Sequence, residues 1–190
     1  AVYGNSAPKG NNADMKTNGW ELSVSWRDQV TLAGSPLQYF AKAALWDSRS
    51  YITKYTATTN TLPTNNTAHY YKGMEVGELW GFRVDGFFQS KDDVAKSPSQ
   101  SWFTNYNGGG TVWEAGDLKF KDVNGDKKID NGNGTLENHG DLVKIGNTAP
   151  RYCYSFSLGA DWKGIGLSTF WQGVGKRDWY PHAESSLFWG

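Results

Sequence analysis

Trp20, Leu22, Val24 and Trp26 alternate with Glu21, Ser23, Ser25 and Arg27. Successive side chains of a strand point to opposite faces, so this period of two predicts a strand with one apolar and one polar face. The same period holds from Tyr152, with Tyr154, Phe156, Leu158, Ala160 and Trp162 on its face and Cys153, Ser155, Ser157, Gly159 and Asp161 opposite. A further strand over 166–173 follows the turn residues Asp161-Trp162-Lys163-Gly164, which predicts a hairpin. Residues 37–47 read as a strand that alternates less cleanly, separated from the first by a linker over 28–36. No segment carries a helical period.

Residues 49–150 differ in character. They are rich in Thr, Asn, Gly and Asp and hold only short strand-like pieces, as over 78–88. A structureless connection of that length does not fit inside a compact domain, so the segment is expected to carry small elements of its own and to serve function. The chain thus divides into strands with a short turn (1–48), a long loop region (49–150) and a second strand hairpin (151–190).

Composition narrows the class. The 190 residues include 23 Gly, 10 Trp, 10 Tyr and 9 Phe, with a mean hydropathy of −0.63. So many rings exclude a disordered tail, and no run of about 18 apolar residues offers a transmembrane helix. A membrane β-barrel stays open, because its strands are apolar only at alternate positions. Nineteen basic residues balance nineteen acidic ones, leaving no net field to attract nucleic acid. Cys153 is the single cysteine, and His69, His139 and His182 are scattered, so neither an internal disulfide nor a transition-metal centre is expected. Cys153 reads as a small residue within a strand. Both ends, Ala1-Val2-Tyr3-Gly4 and Phe188-Trp189-Gly190, read as cuts through a longer polypeptide.

Alternation alone does not distinguish a protein core from lipid behind the apolar face. Strand length does more. Ten steps from Tyr152 to Trp162 span about 33 Å, and a tilt of about 40° projects this to roughly 25 Å, the height of an outer-membrane barrel's apolar band. Short turns at one end and one very long connection at the other repeat the barrel pattern. The connections at 28–36 and 161–164 should therefore share one, periplasmic, end, with 49–150 at the other. Trp20, Leu22, Val24, Trp26, Tyr154, Phe156 and Leu158 should face lipid or a hydrophobic neighbour, and Glu21, Ser23, Arg27 and Ser155 a polar lumen.

Candidate chemistry lies in the loop region. Asp122-Val123-Asn124-Gly125-Asp126-Lys127-Lys128-Ile129-Asp130 places oxygen side chains at positions 1, 3, 5 and 9, as a Ca²⁺ loop does, with the Lys128 carbonyl as a further ligand and Ile129 as anchor. Position 6 is Lys127 and position 12 is Asn133, where such a loop carries Gly and a bidentate carboxylate. A bound cation and a metal-free Asx-rich turn both fit this spacing. Trp80, Trp102, Tyr106 and Trp113 crowd the region beside Phe82, Phe87, Phe88 and Phe103 and are the candidates for stacking on a sugar or peptide. Most of these rings should form the loop's own small core. Glu75, Glu78, Asp85, Asp92 and Asp93 have no spacing that fixes a catalytic pair, and Gly108-Gly109-Gly110 suits a loop tip better than a phosphate cradle. No catalytic residue is assigned and no enzyme is expected.

Five segments, in order, resemble the C-terminal barrel region of SusC/RagA-type TonB-dependent transporters, outer-membrane importers of glycans and peptides in Bacteroidetes. They are Asn18-Gly19-Trp20-Glu21-Leu22-Ser23-Val24-Ser25-Trp26-Arg27-Asp28; Gly73-Met74-Glu75-Val76-Gly77-Glu78-Leu79-Trp80-Gly81-Phe82 with Asp85-Gly86-Phe87-Phe88; Gly116-Asp117-Leu118-Lys119-Phe120-Lys121-Asp122-Val123-Asn124-Gly125-Asp126; Ile145-Gly146-Asn147-Thr148-Ala149-Pro150; and Leu158-Gly159-Ala160-Asp161-Trp162-Lys163-Gly164 running on to Phe170-Trp171-Gln172-Gly173-Val174-Gly175. The resemblance implies an all-β chain: antiparallel strands of a large outer-membrane β-barrel with one long extracellular loop region. It implies a SusD-like surface lipoprotein as partner, TonB acting through an N-terminal part outside this chain, an oligosaccharide or peptide as substrate, and surrounding lipid. Family members usually carry Gly where Lys127 stands. The competing expectation is a secreted soluble β domain that binds carbohydrate.

Overall fold

The computed structural model describes residues 12–56, 59–63, 69–103 and 112–180. Tyr106, the glycine run 108–110, His182 and both chain ends lie outside them. In chain order the described elements are β1 (Ala13–Leu32), β2 (Ser35–Tyr55), β3 (Glu78–Phe82), β4 (Val84–Phe87), α1 (Lys91–Lys96), β5 (Leu118–Phe120), β6 (Leu142–Asn147), β7 (Arg151–Trp162) and β8 (Ile165–Lys176). The chain is nearly all β, and every strand pair is antiparallel.

The long alternating runs make a four-stranded sheet in the order β1-β2-β7-β8. Each outer pair is closed by a two-residue turn with left-handed backbone, Ala33 (φ 50°) with Gly34 (φ 73°) and Lys163 (φ 49°) with Gly164 (φ 81°). That is the type I′ hairpin, whose twist matches the right-handed twist of the flanking strands. The second turn is the expected one. The linker expected over 28–36 is not a linker: β1 runs on through Leu32 and β2 begins at Ser35. Pro36 is tolerated in β2 because it lies next to the hydrogen-bonded Leu32–Ser35 pair, so its missing N–H would point toward β7, whose pairing begins only at Leu37 opposite Trp162.

Both tight turns sit at one end of the sheet, where the Trp162 indole N–H donates to the Leu32 carbonyl at 3.2 Å. The chain between β2 and β7 leaves from the other end, which is the topology the strand directions dictated. Registers then carry one strand's alternation across all four. Leu22, Leu45 and Tyr154 share a row, as do Val24, Ala43, Phe156 and Trp171, and Trp26, Ala41 and Leu158. On the opposite face Ser23, Ala44, Ser155 and Gln172 align, followed by Ser25, Lys42, Ser157 and Phe170. The apolar face is bare: Val24 is 58% exposed, Trp26 62% and Trp171 58%. On the polar face Cys153 is buried and the Phe40 ring occupies the space a side chain on Gly159 would need, while Phe170 is 64% exposed. A hollow of about 600 Å³ lies against this face, bounded by Ser25, Arg27, Phe40, Lys42, Ser157 and Phe170.

The buried apolar cluster is elsewhere. β1 and β2 extend well past β7, and β2 does not end at residue 48 but runs to Tyr55. At that level residues 73–76 replace β7 beside β2, through Ile52 N–H to the Met74 carbonyl (2.9 Å) and Val76 N–H to the Ser50 carbonyl (2.9 Å). Ile52, Leu62, Tyr71 and Met74 pack together there, with Val76, Trp80, Leu136 and Leu142 around them. Two small sheets, β3 with β6 and β4 with β5, complete the loop region. The helix α1 was not expected, because six residues are too few to show a helical period. Its signal is the cap, in which the Ser90 hydroxyl accepts from the Asp93 N–H at 3.1 Å.

Candidate functional site

The rings of the loop region divide into two groups. Phe82, Phe103 and Phe120 pack on one another, with Phe82 and Phe103 at 4.7 Å between centroids and Phe103 stacked on Phe120 at 4.8 Å. Trp102 adds its edge to this cluster, 4.9 Å from Phe103, while remaining 51% exposed. Trp113 lies on the far side of Phe103, toward the buried Phe88. This is the small core expected of the region.

A cleft of about 420 Å³ opens beside that core, between β3, β6 and residues 102–103. Trp80, Phe82 and Trp102 line it with Asn131 and Tyr180. Of the residues expected to bind substrate, Trp80 and Trp102 therefore meet at one site, Trp113 does not line it, and Tyr106 lies outside the described residues. Asn131 and Tyr180 were missed, since neither is near the tryptophans in sequence. Trp80 is held firmly, because its indole N–H donates to the Glu78 carboxylate at 3.0 Å.

Glu78 is the hub behind that wall. It is 4% exposed, and its two oxygens accept from the Tyr71 hydroxyl, the Trp80 indole, the Glu75 N–H at 2.9 Å and the Lys144 ammonium at 2.6 Å. Burial pushes its carboxyl upward in pKa, but the hydrogen bonds, led by that of Lys144, outweigh it and the net shift is downward. Burial, with Glu78 second, raises the Tyr71 hydroxyl. The other acidic candidates are spread over separate contacts: Glu75 with Arg49, Asp92 with Lys96, and Asp93 with Lys119. Asp85 is exposed.

A second cavity, of about 340 Å³, lies where β2, β6 and β7 meet, and charge dominates its lining. Arg49, Lys144, Arg151 and Lys176 face Glu75 and Asp178 there. Arg151 also clamps the buried Asp47 through Nε and Nη2, beside Tyr152 at a φ of 53°. A bulky residue in the left-handed region is strained, and the Arg151 clamp, with the Tyr152 N–H donating to Asp47 at 3.3 Å, holds the chain there.

The segment 122–130 folds as a closed loop. Asp122 accepts from the Gly125 N–H (2.6 Å) and the Lys127 N–H (2.9 Å), Asn124 from the Asp126 N–H (3.0 Å), and Asp126 from the Lys128 N–H (2.8 Å). Lys127 has a φ of 65°, the left-handed backbone that a calcium loop requires at its sixth position. Ile129 is 1% exposed, anchored by its N–H to the Ser99 carbonyl at 2.8 Å. Asp130 turns to the Gly132 N–H at 2.8 Å. Among the described residues no three His, Cys, Asp or Glu side chains converge as a metal-binding group.

Asp141 is the residue of this loop that sequence reading missed. It is fully buried, and its carboxylate ties both ends of the loop together, accepting from Val123 N–H at 2.6 Å and Asp130 N–H at 3.0 Å. No protein-family model matches the chain, and no curated protein matches it in sequence.

Proposed function

We propose that the chain is part of a TonB-dependent outer-membrane importer of SusC/RagA type, taking up glycans or peptides with a SusD-like lipoprotein partner. In this reading the four-stranded sheet is one arc of a large closed barrel, whose further strands pair with the free edges of β1 and β8. The loop region then stands on the extracellular side and the two-residue turns on the periplasmic side. The alone-standing arc does not transport.

The observation that carries the reading is the apolar face on which Val24, Trp26, Phe156, Leu158 and Trp171 from β1, β7 and β8 share rows and stand in the open. A soluble β domain buries such a face; a barrel turns it to lipid. The five ordered segments of the resemblance agree with it. Ca²⁺ belongs to the same proposal: Asp122, Asn124, Asp126 and Asp130, with the Lys128 carbonyl, offer only hard oxygen donors, and the loop backbone already has the turn this ion needs.

Cell fractionation tests the main claim. The polypeptide carrying this chain should be found in the outer-membrane fraction and leave it only with detergent. Recovery in a soluble fraction without detergent overturns the importer and favours the secreted carbohydrate-binding domain.

A further inference from the structure

We infer that the aromatic cleft beside β3 is a binding subsite for an uncharged saccharide. The inference rests on the importer reading for its biological setting, but its physical argument is local. Among the described residues no charged side chain lines the cleft, in contrast to the neighbouring cavity of similar size where four cations meet two carboxylates. A peptide terminus, a uronic acid or a sulfated sugar would bring a charge there and leave it without a partner, and an unpaired charge removed from water is strongly disfavoured.

A neutral sugar matches what the cleft offers. A pyranose ring has an apolar face of C–H groups, which suits the flat walls of Trp80, Phe82 and Trp102. Its hydroxyls need donors and acceptors at the rim. The Asn131 amide, the Tyr180 hydroxyl and the Trp102 indole N–H have no hydrogen-bond partner among the described residues and suit that task. The Trp80 indole N–H is not free, being committed to Glu78. Trp80 is therefore a rigid wall fixed from behind, and Trp102, half exposed and packed edge-on against Phe103, is the stacking face open to a ligand.

The test is a printed array of neutral, uronic-acid-containing and sulfated oligosaccharides, probed with the full chain in detergent micelles. Binding confined to neutral glycans, lowered at least tenfold by Trp102→Ala and retained by Trp102→Phe, is the expected result. Binding to the acidic sugars overturns the inference. So does neutral binding that Trp102→Ala leaves unchanged, or the absence of binding to every spot, as when the chain's own residues fill the cleft. Fractionation reads the importer claim separately: a soluble protein that keeps the neutral pattern sinks the importer and leaves the subsite standing.

Discussion

Glu78 shows how one side chain can hold a site that it does not line. Four donors surround its carboxylate, one of them on the buried Tyr71. Glu78→Gln exchanges one accepting oxygen for a donor that faces other donors. It should destabilise the loop region by about 3 kcal/mol, read as faster hydrogen exchange in β3 and β6 with β7 and β8 unchanged. The pH dependence follows from the lowered carboxyl. Its contribution is fully present above the ordinary glutamate range and is lost as pH falls through the folded value, so acid should loosen β3 and β6 in the wild type and have less effect in the variant. The loop at 122–130 is a second residue-scale case. Adding Ca²⁺ should slow hydrogen exchange over that loop, and Asp126→Ala should abolish the slowing while leaving the four-stranded sheet as it was. An exchange rate indifferent to Ca²⁺ in the wild type would return the loop to the metal-free Asx turn.

At the scale of elements, the four long strands are the most legible part of the chain. Alternation fixed which residues share a face, and the paired registers confirm that assignment row by row. Turn lengths were harder to read. Lys163-Gly164 stands between two clean strands, whereas Asp28, Gln29 and Pro36 look like loop residues and conceal the Ala33-Gly34 turn between them. The short helix α1 escaped for a related reason, since a cap is a single local contact with no periodicity to support it. The faces yield a direct comparison in the intact protein. Val24→Arg, mid-way along the apolar face, should cost about 2 to 4 kcal/mol in a lipid-facing strand, and Ser23→Arg on the polar face far less. Equal penalties would remove lipid from the apolar side.

For the whole molecule the question is what lies against the bare face. A lone sheet with Val24, Trp26, Leu158 and Trp171 all in the open would be drawn to any apolar surface, and the edges of β1 and β8, which pair with no further strand among the described residues, add exposed backbone groups. Both demands are met together if neighbouring strands continue the sheet and hydrocarbon covers its outside.

Local order was readable from residues alone: the all-β class, the antiparallel sense, the two faces and the existence of a separate loop region follow from period-two alternation and turn chemistry, which act between near neighbours. The site was not. Trp80 and Trp102 could be named for their chemistry, but Asn131 and Tyr180 join them only because β3 pairs with β6 and the chain after β8 returns to the loop region. Asp141, Glu78 with Lys144, and Asp47 with Arg151 are likewise pairings across long sequence separations, 66 and 104 residues for the last two. Such contacts carry no local period, because they are set by which strand lies beside which, and that is decided only when the whole chain has closed around its buried groups.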